Sequence, residues 1–435
     1  MEPSSQTVHN DNATNSMSMT TNTNIHEAVT DIALNRQWRL VSFLVSFSML
    51  SFLIGQSFLT LRDQVGFDIP DIIIFPEFIL GTGAIIWAGY LSVVYGVKTK
   101  RSIKMCLSIL GLLTCWSLIQ GNYSSIYAIR EAFFSPQGIG VWIAFLLVLP
   151  GQNERFWDYF RNHLLTIYKI SLILQIIAIA LLFSENKGLL RVNFSTSISL
   201  FVFGWGLLAA DKSYTRWGLI GLVLFTIHNL FINQRETFFL PIEFLVILLI
   251  ICFARSLKQH SGKIICVLMV AYIAFGVFAD TIVPEQYLYI LNKTRIFEDT
   301  RTFVFQDYMD SDMTQPMNYL FGKGVNGFFE SKFRYNDIGG FGTSLGIEMG
   351  YLQMLLNVGA IYVVLMIMIS LTPAVKSVLK SLNPLVITAG IWVIVRLINM
   401  LFAAVPQTNF SWLLFWLCIG VLSSAEMTQN NLTED

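Results

Sequence analysis

The sequence predicts an all-α polytopic membrane protein, with about twelve transmembrane helices and one long loop late in the chain. Three observations predict it: scarce charge, a succession of apolar runs of bilayer length, and uneven Lys/Arg between alternate loops. Of 435 residues, 54% are hydrophobic and only 13% charged, with mean hydropathy +0.60. A soluble chain carries roughly 25% charged residues. Twenty-eight Lys+Arg against twenty-eight Asp+Glu leave a net charge of zero, so there is no basic surplus for gripping nucleic acid.

Residues 1–35, rich in Ser, Thr, Asn and Met, lack an apolar run and read as a disordered cytoplasmic tail. Apolar spans then follow at about 39–61, 72–96, 103–120, 137–150, 164–183, 192–210, 217–232, 237–254 and 264–283. This places helices 1–9 within 36–283. The fourth span is short and its neighbour 123–136 is amphipathic, which predicts a tilted or re-entrant element. Residues 284–342 form the long loop, and helices 10–12 fill 343–427 as spans at 343–371, 384–402 and 409–425, before a short tail at 428–435. No internal repeat of the kind expected for an inverted-repeat carrier is visible.

Orientation follows from the basic residues, because cytoplasmic loops keep the positive charges that resist translocation. With the N-terminus inside, fifteen Lys/Arg fall in one set of loops and five in the opposite short loops. Both termini are therefore expected in the cytoplasm and 284–342 on the far side. That loop is dense in aromatics, among them Tyr308, Tyr319, Phe328 and Phe329. All five cysteines lie in apolar runs without metal-ligand or redox spacing, so neither a metal nor a thiol cofactor is expected. Within the loop, Gly322, Gly324 and Gly327 spell GxGxxG, but a dinucleotide fingerprint needs a strand before it and a helix after it. A tight glycine turn near a substrate or the membrane surface fits better.

Candidate site residues come from ionisable groups where apolar surroundings make them costly. Glu348 enters the tenth span at its outer edge, and Tyr351 and Leu355 follow at helical spacing on what is expected to be one inward face. A carboxylate against apolar walls suits proton exchange with a hydroxyl, although such a residue also serves as a snorkelling or paired group at a membrane edge. Arg235 stands in the short outward turn before the eighth span, with His228 seven residues earlier, expected two turns down the same face. Its planar fork suits a phosphate, and the same cluster suits interhelical bonding. Arg396 lies about six residues inside the outer end of its span, where arginines pair or line a wet path. Arg301 and Arg334 are further cations in the loop. Arginines around a membrane cavity beside aromatic faces suit a lipid-linked sugar diphosphate.

Arg235 opening the eighth span, LFGKGVNGFF at 320–329 in a late outward loop, and EMGYLQMLLNVGAIYVV at 348–364 together resemble the O-antigen polymerase and ligase superfamily. Glu348, Tyr351, Leu355 and Gly359 follow that superfamily's pattern of polar, aromatic, leucine and glycine. The closest resemblance is to Wzy-type polymerases of oligosaccharide repeat units, because ligases place a histidine where Glu348 stands and the five histidines here lie outside the loop. The resemblance implies a GT-C-like, metal-independent glycosyltransferase of the bacterial inner membrane, using no cofactor. It would transfer a glycan from undecaprenyl diphosphate to an incoming lipid-linked unit at the periplasmic face, and its implied protein partners are a chain-length regulator and a flippase. Arg235, Arg396 and Arg301 or Arg334 would hold the diphosphate beside Tyr351 and His228, and Glu348 would orient or deprotonate the acceptor. Ligase-type transfer, and a lipid-linked oligosaccharide flippase or secondary transporter, are the alternatives.

Overall fold

The computed structural model describes residues 11–62, 68–185, 196–231, 235–254, 302–311, 315–336, 340–344, 347, 349–402 and 404–429. The predicted span at 264–283, together with Glu348 and Arg301, lies outside these residues. The described chain is overwhelmingly helical, and six of its helices are long and apolar enough to cross a membrane: Ile32–Thr60, Asp71–Val94, Arg101–Gln120, Ile126–Gly151, Gly350–Lys380 and Pro384–Leu401. It is a multi-pass membrane protein.

Helix α1 (Asp11–Thr60) is helical from Asp11, where the composition predicts a disordered tail. No glycine or proline stands between Pro3 and Gly55, so once the apolar part is helical nothing stops propagation toward the N-terminus. It packs on α2 (Asp71–Val94) and on α7 (Glu154–Glu185). After α3 (Arg101–Gln120), the expected irregular element is a series of short pieces. These are α4 (Ile126–Phe134), α5 (Ile139–Ile143), a 3-10 turn (Ala144–Leu147) and α6 (Val148–Gly151). Ser125 caps α4 by accepting from the Ala128 N–H at 3.1 Å. The break before α5 leaves the Pro136 carbonyl to Thr408, whose backbone N–H and hydroxyl both donate to it.

Helices α8 (Thr196–Leu208), α9 (Lys212–Phe231) and α10 (Arg235–Ala254) form a second group, and α8 and α10 both pack against the C-terminal helices. The predicted long loop supplies α11 (Thr302–Asp310), α12 (Pro316–Phe321) and an antiparallel hairpin, β1 (Phe329–Asn336) with β2 (Gly340–Ser344). Three helices then close the bundle: α13 (Gly350–Lys380), α14 (Pro384–Phe402) and α15 (Phe410–Ser423), with α16 (Ala425–Gln429) behind them.

Every residue of α15 is buried. A helix apolar all round belongs in the middle of a bundle, and α15 is packed by α6, α13 and α14. Asn409 caps it, accepting from Trp412 N–H at 2.9 Å, and the Trp412 indole donates to the Val141 carbonyl at 3.0 Å. The predicted last span is thus the axis of the bundle, surrounded by protein.

Candidate functional site

At one end of the bundle α13 and α14 meet, and two of the predicted site residues, Tyr351 and Arg396, fall there. The predicted tenth span begins at 343, but α13 starts at Gly350, with Met349 extended at φ −115°, ψ 121°. The glycine-rich run before it pairs as β2, and Gln353 turns back to accept from the Ile347 N–H at 2.7 Å, which fixes the chain outside the helix. The helical face shared by Tyr351 and Leu355 begins with α13, and Glu348 lies outside the described residues. Gly350 is the close contact of the pair: a Cβ there would lie 2.1 Å from the Ala404 carbonyl oxygen.

The Tyr351 hydroxyl donates to the Leu397 carbonyl at 3.0 Å. Arg396, the neighbouring residue on α14, is 3% exposed. Tyr351 thus reaches the backbone of α14 one residue beyond Arg396. Trp392, Arg396 and Asn399 share one face by their spacing, and the Trp392 ring lies 6.3 Å from Phe201 of α8 and 6.5 Å from Phe244 of α10. The arginine is thus on the side of α14 that packs against α8 and α10.

Two residues on this side escaped the sequence reading. Asn399 is 2% exposed, and its amide donates to Glu243 Oε2 of α10 at 2.7 Å. Glu243 sits two residues after Pro241, whose missing N–H interrupts the hydrogen bonding of α10. An isolated carboxylate in the run LPIEFLV was the available signal.

Arg235 is the first residue of α10, and His228 lies near the end of α9. The two therefore belong to different helices rather than to one helical face. Arg334 lies in β1. The side chains of Arg235, His228 and Arg334 fall outside the described residues, as do Arg301 and Glu348 entirely.

The glycine turn is confirmed as a turn, and its neighbour is the bundle. Helix α13 breaks at Gly359, which has φ 81° and ψ 172°. The carbonyls of the preceding turn take partners from outside the helix: Leu356 accepts from Lys323 N–H at 2.7 Å, and Asn357 from the Ser117 hydroxyl of α3 at 2.9 Å. The Asn357 amide in turn donates to the Gly324 and Val325 carbonyls at 3.0 and 2.9 Å. Val325 N–H donates to Ser117 O, and Asn326 bridges to Asn122 and Ala128. Gly322 and Gly324, at φ 77° and 99°, supply the left-handed backbone this docking requires.

The aromatics of the predicted long loop are partly consumed by packing. Tyr308, Phe329 and Ile347 form a small core with Leu352 and Leu356 of α13. Burial, reinforced by Tyr319, pushes the Tyr308 hydroxyl above its ordinary range. Lys323 Nζ lies 5.5 Å from the Phe328 ring centroid. At the opposite end, Arg161 pairs with Asp211 and stacks over Trp205 and Tyr214.

Along α14, then, the described residues hold the buried Arg396, the Asn399 amide on Glu243, and the Tyr351 hydroxyl on the Leu397 carbonyl. No protein-family model matches the sequence, and no curated protein or solved structure is significantly similar to it.

Proposed function

We propose that the protein is a polysaccharide polymerase of the bacterial inner membrane, with about twelve spans and a GT-C-like plan, using the long loop at the periplasmic face. The observation that carries the reading is Arg396: a guanidinium at membrane depth, facing the helix that opens with Arg235. In the proposed reaction an acceptor hydroxyl attacks the anomeric carbon of a glycan linked to undecaprenyl diphosphate. The bond to the diphosphate breaks, the electron pair leaves with it, and the hydroxyl proton passes to Glu348. Arg235, Arg396 and Arg301 or Arg334 take up the charge of the departing diphosphate. Because a diphosphate is already a good leaving group, this clamp contributes more than the base. Arg396 is enclosed here, so α10 parts from α14 to admit the diphosphate, and Pro241 supplies a place for α10 to bend.

The reading is tested by complementing a strain that lacks its polymerase and resolving the polymer on a gel. Arg396→Ala and Arg235→Ala should abolish long chains. Unchanged length and yield in both, with loss only in Glu348→Ala, would end the clamp idea.

A carrier is the second reading, and Glu243 favours it: carboxylates hydrogen-bonded between helices at membrane depth also serve proton-coupled transport. Proteoliposomes that move a lipid-linked oligosaccharide across the bilayer without lengthening it would support that reading against the polymerase.

A further inference from the structure

We propose that α12 lies in the bilayer interface with Met317 and Leu320 among lipid acyl chains, anchoring the predicted long loop to the membrane as well as to the bundle. The helix reads PMNYLF, carries no charge, and buries none of its residues. Met317 and Leu320, three residues apart and so on one face, are 59% and 39% exposed. Phe321 continues that face and meets Trp116 of α3 edge-on at 6.2 Å.

That contact joins α12 to a lipid-facing stripe. Leu112, Trp116 and Ile119 recur at helical spacing along α3 and are exposed in a helix of transmembrane length. The height of α12 follows from hydrogen bonds. The 20 residues of α3 rise about 30 Å, the thickness of a hydrocarbon core, from a basic end at Arg101 and Lys104. Gln120 is therefore at the opposite boundary. Val325 N–H donates to Ser117 O in the last turn of α3, and Gly359, against which the Leu320 carbonyl rests, lies about 13 Å along α13 from its first residue. These attachments hold α12 level with the end of α3. Trp116, Tyr123 and Tyr319 stand around it as interfacial aromatics do. In water its apolar face would be a liability; at the boundary it continues the lipid-facing surface of α3.

The test uses full-length protein with native cysteines replaced by alanine and a bimane label at Met317→Cys or Leu320→Cys. Ile119→Cys is the lipid-facing control and Ser124→Cys the aqueous one. In phosphatidylcholine vesicles, a lipid with a nitroxide near the headgroup end of its acyl chain should quench both α12 labels as strongly as Ile119→Cys, while aqueous iodide quenches only Ser124→Cys. Iodide quenching of the α12 labels without lipid quenching would overturn the proposal. Protection from both quenchers would also overturn it, since a second copy or another part of the chain would then cover the face. Two sites keep the test open if one labelled variant does not fold.

Discussion

Asn399 of α14 places one amide hydrogen on Glu243 of α10 at 2.7 Å and another on the Val395 carbonyl of its own helix at 3.1 Å. The Val395 carbonyl can only accept, so the orientation of the amide is fixed. The bond ties the helix that opens with Arg235 to the helix that carries Arg396.

Asn399→Ala and Glu243→Ala should each destabilise the protein by about 1 kcal/mol, and the double variant should cost little more than either alone. Glu243→Gln keeps an acceptor and should retain most of the stability. Thermal unfolding in detergent of the four variants checks this, and fully additive losses would show that the two side chains do not act as a pair.

Gly359→Ala should be among the most damaging single changes, costing about 3 kcal/mol or more. The site combines φ 81° with a Cβ position 2.2 Å from the Leu320 carbonyl oxygen. Gly83→Ala in α2 is the contrasting change, since nothing lies within 4 Å of its Cβ position. It should leave stability equal or raised by up to about 1 kcal/mol. Expression level and melting temperature of the two variants provide the comparison.

Asn357→Asp keeps the shape of the side chain but turns its two donations to Gly324 and Val325 into contacts between a carboxylate and two carbonyl oxygens. The docked turn should loosen by about 2 kcal/mol. Hydrogen exchange of 322–327 should accelerate while α1 and α2 stay protected.

Asp211 responds to pH at the other end of the bundle. Burial alone would raise its carboxyl, but N–H groups of Tyr214 and Ser213 and the Arg161 guanidinium outweigh it and hold the group below its ordinary value. A depressed folded value means the contribution to stability is present above the ordinary carboxylate range and is lost as pH falls through the folded value. Asp211→Asn should therefore melt lower than the wild-type chain at neutral pH, with the difference narrowing in acid. A difference independent of pH would contradict this.

Much of the bundle was legible because α1, α2, α3 and α14 are apolar runs of bilayer length, and hydropathy reads such runs directly. It does not tell lipid-facing helices from α15, because a helix in lipid and one enclosed by helices have the same composition. The start of α13 was misplaced because hydropathy does not mark a helix boundary: Thr343 and Ser344 belong to β2, and Met349 is still extended. Arg396 stood out as a cation in an apolar run. Its setting did not, because Glu243 and Asn399 meet across 156 positions and neither has a local pattern. The GxGxxG motif is explained once Gly359 breaks α13, a tertiary event that spacing within 322–327 does not encode.

Reconstituted activity tests the central claim most directly. Purified protein in vesicles, supplied only with undecaprenyl-diphosphate-linked repeat units, should produce a ladder of longer lipid-linked glycans and release undecaprenyl diphosphate, and Arg396→Ala should produce neither. Repeat units that remain single, with no diphosphate released by folded wild-type protein, would contradict the polymerase account.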